Sequence, residues 1–239
     1  GARVHSGGPE RISPGILAGL DAHAGTLMVS GFTRRLAEIV GERPGARIVI
    51  DAAIEVARLA RQATKLSDDK LSAVRSGDPK LVRQLDMEGW VDLPGSCFAY
   101  SPEATPLFET RPVTIPMTAE LYFPPPGKRK LFNRKKVARV ERNGRRLFLF
   151  HSMFDEVHGF EVRYEIDLDT GTIAGAESKT SRLPYMGVCD EPQRKVASLV
   201  GQPVDQGLRK RIQPLIGGSS GCTQLYDLTS DLIKLLTFA

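Results

Sequence analysis

The sequence predicts an α+β protein, an antiparallel meander flanked by two related helix pairs. Three observations carry that expectation. Apolar residues recur at helical spacing near the start of the 239 residues and again from Pro192 to the end. Between them, from Val113, the pattern changes to short alternating segments broken by hairpin turns. The two helical regions also resemble each other residue by residue.

Residues 9–66 read as helical. Ser30 is placed to cap a helix whose apolar positions are Phe32, Leu36, Ile39 and Val40, with Gly41 as its stop. After the Pro44-Gly45 turn, IVIDAAIEVARLARQATKL forms a second helix with Lys65 in its last turn, where a cation suits the helix dipole. Residues 67–112 are polar and rich in Asp, Ser, Gly and Pro. They are expected to hold one short helix within SDDKLSAVRSGDPKLVRQLDM, then loop with short strands.

Strands are expected in VTIPMTAELYF, VARVER, RRLFLFHSMF and FEVRYEIDL. Asn143-Gly144 is read as a two-residue hairpin turn, and Asp169-Thr170-Gly171 as a second turn leading into TIAGAES. Helical segments follow in PQRKVASLVG, DQGLRKRIQPLIGG and CTQLYDLTSDLIKLL.

Gly31–Leu59 aligns without a gap on Gly207–Leu235, and six of the 29 positions are identical. Chance would give about two, so an internal duplication of a helix–glycine turn–helix unit is expected. Ala46 of the first copy corresponds to Cys222 of the second. The organisation read from this is residues 1–66 as one repeat copy, 67–112 as a connector, and 113–239 as sheet plus second copy, all in one compact unit.

The net charge of +5 is local in origin. Lys128–Arg146 holds ten basic residues and one acid, and the remainder of the chain is −4. One anion-attracting feature is therefore expected, not a surface basic all over. Lys128, Arg129, Lys130, Arg134, Lys135 and Lys136 are the candidate anion-binding residues, on an exposed hairpin arm. A nucleic-acid ribbon and a charged edge strand that resists pairing are the other readings of the same residues. No stretch of 18 apolar residues is present and no leader is visible, so a cytoplasmic protein without a membrane partner is expected. Three cysteines are too few for a secreted disulfide scaffold.

Cys222 opens a helix after the glycine-rich turn GGSSG, where backbone N–H groups and the helix dipole favour a thiolate. A small buried hydrophobe is the alternative reading of that position. Cys97, in LPGSCFAYS, is read as a loop residue outside the site. His5 and His23 are read as surface residues, and His151 as a strand residue.

The stretch from Asp155 to Leu228 resembles a bacterial domain-of-unknown-function family with a Gly-Cys-Thr-His-Leu signature. The matching segments are DEVHGFEVRYEID, TGTIAGAESKTSRLPYMGVC and LVGQPVDQGLRKRIQPLIGGSSGCTQL. The resemblance carries over to His158, Pro184-Tyr185, Cys189 and Cys222, while Gln224 stands where the signature has His. More remotely the arrangement resembles the iron–sulfur cluster scaffold fold. That resemblance implies His158, Cys189 and Cys222 as ligands of zinc or iron, with Asp155, Glu156 or Gln224 completing the set.

The function expected from all this is a small-molecule catabolic enzyme, of hydrolase or lyase type. It would act on an anionic substrate, carboxylated, phosphorylated or CoA-linked, with His158 and Cys222 as its catalytic residues. The alternatives are a non-catalytic metal or sulfur carrier, or accessory subunit of a larger enzyme, and a nucleic-acid-binding module. An acidic partner protein and a homodimer or larger complex fit the same features.

Overall fold

The computed structural model describes residues 2–4, 12, 13, 15, 16, 19, 31–60, 66–91, 93–123, 125–127 and 132–238. The chain divides into two compact units, Ser6–Lys65 and the remainder. Strand β1 (Ala2–Val4) belongs to the larger unit. The smaller unit holds α1 (Phe32–Val40) and α2 (Ala46–Ala60), which pack through Leu36, Val40, Ala46 and Val49 around Ile16.

In the larger unit, α3 (Asp68–Ser76) and α4 (Pro79–Gly89) replace the one expected helix. Gly77 ends the first in a left-handed conformation (φ 71°), and the Asp78 side chain accepts from the N–H groups of Lys80 and Leu81 to start the second. Pro79 then occupies the first helical position, where its missing donor costs nothing. Short turns at Phe98–Tyr100 and Pro102–Ala104 lead into α5 (Thr105–Thr110).

The strand expected over residues 113–123 does not form. Thr114 bridges Met186 in isolation, and α6 (Ala119–Tyr122) takes the rest. Pro116 interrupts any ladder there because it has no N–H to donate.

The sheet is an antiparallel meander of β2 (Lys135–Asn143), β3 (Arg146–Phe154), β4 (Gly159–Asp167) and β5 (Thr172–Arg182), in that spatial order. Asn143 pairs with Arg146, so the two-residue loop is Gly144-Arg145, one residue later than expected. Gly144 supplies the positive φ (56°) that such a turn requires. The second turn is built on Asp167, whose carboxylate accepts from the N–H groups of Asp169 and Thr170.

After β5 come α7 (Asp190–Arg194), a 3₁₀ turn (Lys195–Leu199), α8 (Leu208–Ile216), α9 (Thr223–Ile233) and β6 (Leu236–Phe238), which pairs with β1. Alternation along β3 and β4 buries Leu147, Leu149, Met153, Phe160, Val162 and Ile166 on one face. Leu208, Ile212, Ile216, Leu225, Leu228 and Leu232 of α8 and α9 complete that core. Two polar contacts fix how α9 is seated. Tyr164 Oη lies 2.6 Å from Thr229 Oγ1, and His151 Nδ1 lies 3.0 Å from the Leu228 carbonyl oxygen. His151 is thus a buried strand residue.

The two repeat segments each form helix, glycine turn, helix, and α1 and α8 begin and end at matching positions. Their glycines differ. Gly31, Gly41 and Gly45 have positive φ, whereas Gly207, Gly217 and Gly221 have φ of −82°, −110° and −121°.

Gly221 is retained for a different reason, close approach: a Cβ there would sit 2.2 Å from the Ile216 carbonyl oxygen. Gly221→Ala is therefore expected to destabilise the larger unit by at least ~2 kcal/mol, because backbone must move. Gly144→Ala, which meets open space, should cost about 1 kcal/mol through its φ alone. Urea unfolding followed by Trp90 fluorescence measures both.

Candidate functional site

Three groups of polar and sulfur side chains come together in the larger unit. The first centres on Asp86, on the inner face of α4 beside Val82 and Leu85. Its Oδ2 accepts from the hydroxyls of Tyr100 and Tyr185, both at 2.8 Å. Its other oxygen pairs with Lys70 of α3, which is itself buried. Burial and the Asp86 charge push both phenols well above their ordinary range, so they remain donors. Tyr100 and Tyr185 meet edge to face with ring centres 6.0 Å apart, and Phe108 adds a second edge contact to Tyr185 at 5.2 Å. Arg83 pins the same segment, donating to the carbonyl oxygens of Ala99 (2.7 Å) and Ser101 (3.0 Å).

The second group lies in the β3–β4 turn. Asp155 Oδ1 accepts from the N–H groups of Val157 (2.8 Å) and His158 (2.5 Å), and lies 3.2 Å from His158 Nδ1. Arg134 Nε donates to Oδ2 at 2.8 Å. Nη2 lies 2.8 Å from the same oxygen but is off the hydrogen-bonding direction, and Nη1 has no partner among the described residues. Arg182 donates to the Asp155 carbonyl oxygen. Burial alone would push the Asp155 carboxyl up. The hydrogen bonds and charge of His158, with the charge of Arg134, overcome it and hold the group down to about 2. Tyr122 of α6 stands between the two groups. Burial, then the charges of Asp86 and Asp155, push its phenol up.

The third group is sulfur. Phe98 N–H donates to the Gly221 carbonyl oxygen at 2.9 Å, and Thr223 Oγ1 donates to the Ser96 carbonyl oxygen at 3.1 Å. These two bonds set Cys97 against Cys222. Cys189, on the turn after Tyr185, joins them closely enough that each of the other two sulfurs raises its pKa further, beyond the effect of burial. Cys222 is the N-cap of α9 and its Sγ accepts from Leu225 N–H at 3.5 Å. The thiolate expected at this helix start is not favoured: burial outweighs the Leu225 and Gln224 N–H groups and pushes the thiol up to about 12.

His158 contacts Asp155, whereas Cys189 and Cys222 influence each other and Cys97, so these expected ligands fall into two different groups. Among the described residues no three His, Cys, Asp or Glu side chains gather as a group able to hold a metal ion. No helix among them is long and apolar enough to cross a membrane.

Four of the described basic residues of this stretch meet acids. Arg134 pairs with Asp155, Lys136 with Asp231 at 2.7 Å, Arg145 with Asp169, and Arg146 with Glu165 and Asp167. Lys135 is exposed at the start of β2. Lys128, Arg129 and Lys130, like His5 and His23, lie outside the described residues.

Residues 145–237 match a family described as "Protein of unknown function (DUF2889)". The DUF2889 stretch begins at the β2–β3 turn and contains His158, Tyr185, Cys189 and Cys222. Arg134, Asp86, Tyr100 and Cys97 precede it and reach its residues through the contacts above, and Lys70 joins them through Asp86. No curated protein and no solved structure matches the chain.

Sequence reasoning missed Asp86 and Cys97. Asp86 carried a readable signal, an acid on the apolar side of LVRQLDM next to Val82 and Leu85. Cys97 carried none, because its partner is 125 positions away at Cys222.

Removing the Asp86 carboxylate strands Lys70 and two phenols. Asp86→Ala is expected to lower the unfolding free energy by about 3–5 kcal/mol. Tyr185→Phe, which leaves Tyr100 in place, should lower it by about 1–2 kcal/mol. Denaturant unfolding of the two variants checks the ratio.

Proposed function

We propose that the larger unit is an acid–base enzyme, of hydrolase or lyase type, acting on a small anionic molecule at His158. The observation that carries this reading is the Asp155–His158 pair. An ionised carboxylate at Nδ1 fixes the orientation and the tautomer of the imidazole. That leaves Nε2, which has no hydrogen-bond partner among the described residues, to take or give a proton. Asp155 is a positioning residue in this scheme, because it acts through His158.

Arg134 supports the anionic substrate. Its side chain is 2% exposed, yet one guanidinium nitrogen has no partner among the described residues. A buried guanidinium with a free edge recognises carboxylate or phosphate better than a solvated lysine does. Carboxylated, phosphorylated and CoA-linked compounds share that chemistry. The Cys222 thiol, pushed up by burial, fits less well as an attacking group than His158 fits as a base.

Melting curves in the presence of phosphate, a dicarboxylate and coenzyme A, followed by turnover assays on the class that binds, test the reading. A melting shift abolished by Arg134→Gln, with His158→Gln retaining the shift but losing at least ~100-fold in turnover, is the expected result. Turnover by His158→Gln equal to the parent would overturn it.

The Asp155 carboxyl also sets a pH dependence. Its folded pKa of about 2 lies below the ordinary 3.8, so its contribution is fully present above roughly pH 4 and is lost as pH falls towards 2. Asp155→Asn should be less stable than the parent by about 2 kcal/mol at pH 7, with the gap closing below pH 3. Urea titrations at a series of pH values measure this.

A further inference from the structure

The proposed acid–base chemistry makes no use of the three cysteines, although they are gathered at one place. Ser96–Phe98 and Gly221–Thr223 run past each other and are held by the Phe98–Gly221 and Thr223–Ser96 hydrogen bonds at either end. Cys97 and Cys222 occupy the facing positions. Both residues are partly exposed, whereas Cys189 is buried.

A second observation points the same way. Gln193 is 5% exposed, and its Oε1 accepts from Ser178 Oγ at 2.9 Å. That bond orients the amide and leaves Nε2 buried without a hydrogen-bond partner of its own. The side chain bears on the Cys222 sulfur and favours its anion. A buried amide donor with no other partner, beside a thiol, suits a sulfur that becomes negative in passing.

The geometry points to Cys97 and Cys222 as a redox-active dithiol that exchanges with a low-molecular-weight disulfide, with Gln193 as the donor to the sulfur anion. Cys97 loses its proton to solvent and attacks one sulfur of the small disulfide. The S–S bond of the reagent breaks, and its first half leaves as a thiolate that takes a proton. Cys222 then loses its proton and attacks the Cys97 sulfur of the mixed disulfide, releasing the second half as thiol. Two protein thiols are oxidised, one small disulfide is reduced to two thiols, and the protons balance. The Ser96–Phe98 segment becomes covalently tied to the start of α9.

Oxidised glutathione added to the folded, reduced protein, followed by alkylation of remaining thiols and non-reducing peptide mapping, tests the assignment. The expected product is a Cys97–Cys222 cross-linked peptide, with Cys189 recovered as the alkylated thiol. Cys189→Ala should retain the cross-link and Cys97→Ala should lose it. Gln193→Leu should slow cross-linking at least tenfold. Because the map of the parent protein alone decides the pairing, a variant that fails to fold leaves the test intact. A cross-link through Cys189, glutathione mixed disulfides without a cross-link, or three free thiols after exposure would each overturn the proposal.

Discussion

The larger unit depends on one half-buried carboxylate. Asp86 lies on a helix outside the sheet, yet its partners come from three places: Lys70 from α3, Tyr100 from the turn after Cys97, and Tyr185 from the turn before Cys189. A carboxylate taken out of water must find donors, and few geometries supply three of them. Satisfying Asp86 therefore fixes how the segment before the meander is placed against the segment after it. The sulfur group is a geometric result of this. Cys97 and Tyr100 share one turn, Tyr185 and Cys189 share another, and phenols that meet at Asp86 bring the two cysteine-bearing turns together.

Electrostatics elsewhere follow a similar economy. The concentration of basic residues in Lys128–Arg146 looks in the sequence like a feature aimed outward. In the fold Arg134, Lys136, Arg145 and Arg146 meet Asp155, Asp231, Asp169, Glu165 and Asp167, acids from the neighbouring strands, their turns and α9. Exposed pairs such as Arg145–Asp169 contribute little to stability and serve mainly to match edge charge. Arg134–Asp155 differs in kind. It is buried, and it shares its carboxylate with His158.

The meander was legible in the sequence because each of its signals is local. Period-two alternation marks β3 and β4, and a glycine and an Asp mark the turns. The α8–α9 pair was legible through its apolar spacing and glycine turn. Errors arose where the deciding contact is distant or where one residue overrides a pattern. Gly77-Asp78-Pro79 cuts one apolar run into two helices, and Pro116 denies a ladder to residues otherwise suited to a strand. His158 was found from motif order, but its partner Asp155 was read as a spare ligand and not as the group that orients it. Arg134 was chosen for its charge, whereas burial is what sets it apart. The convergence of Cys97 with Cys222 rests on tertiary packing that no spacing encodes.

The pairing of β1 with β6 makes the larger unit discontinuous along the chain. Residues 2–4 find their partners at 236–238, and the whole Ser6–Lys65 unit is spliced between β1 and α3. During synthesis β1 emerges before the insert and waits for its partner until β6 has been made. Local pairings such as β2–β3 can form meanwhile, each at a small loop-closure cost, while this one carries the largest sequence separation in the fold. The spliced unit has its own core of Ile16, Leu36, Val40, Ala46 and Val49 and can complete it while its host is still unfinished. The topology thus separates three kinds of contact: those within the insert, the local pairings of the meander, and the β1–β6 pairing that flanks the insert in the chain.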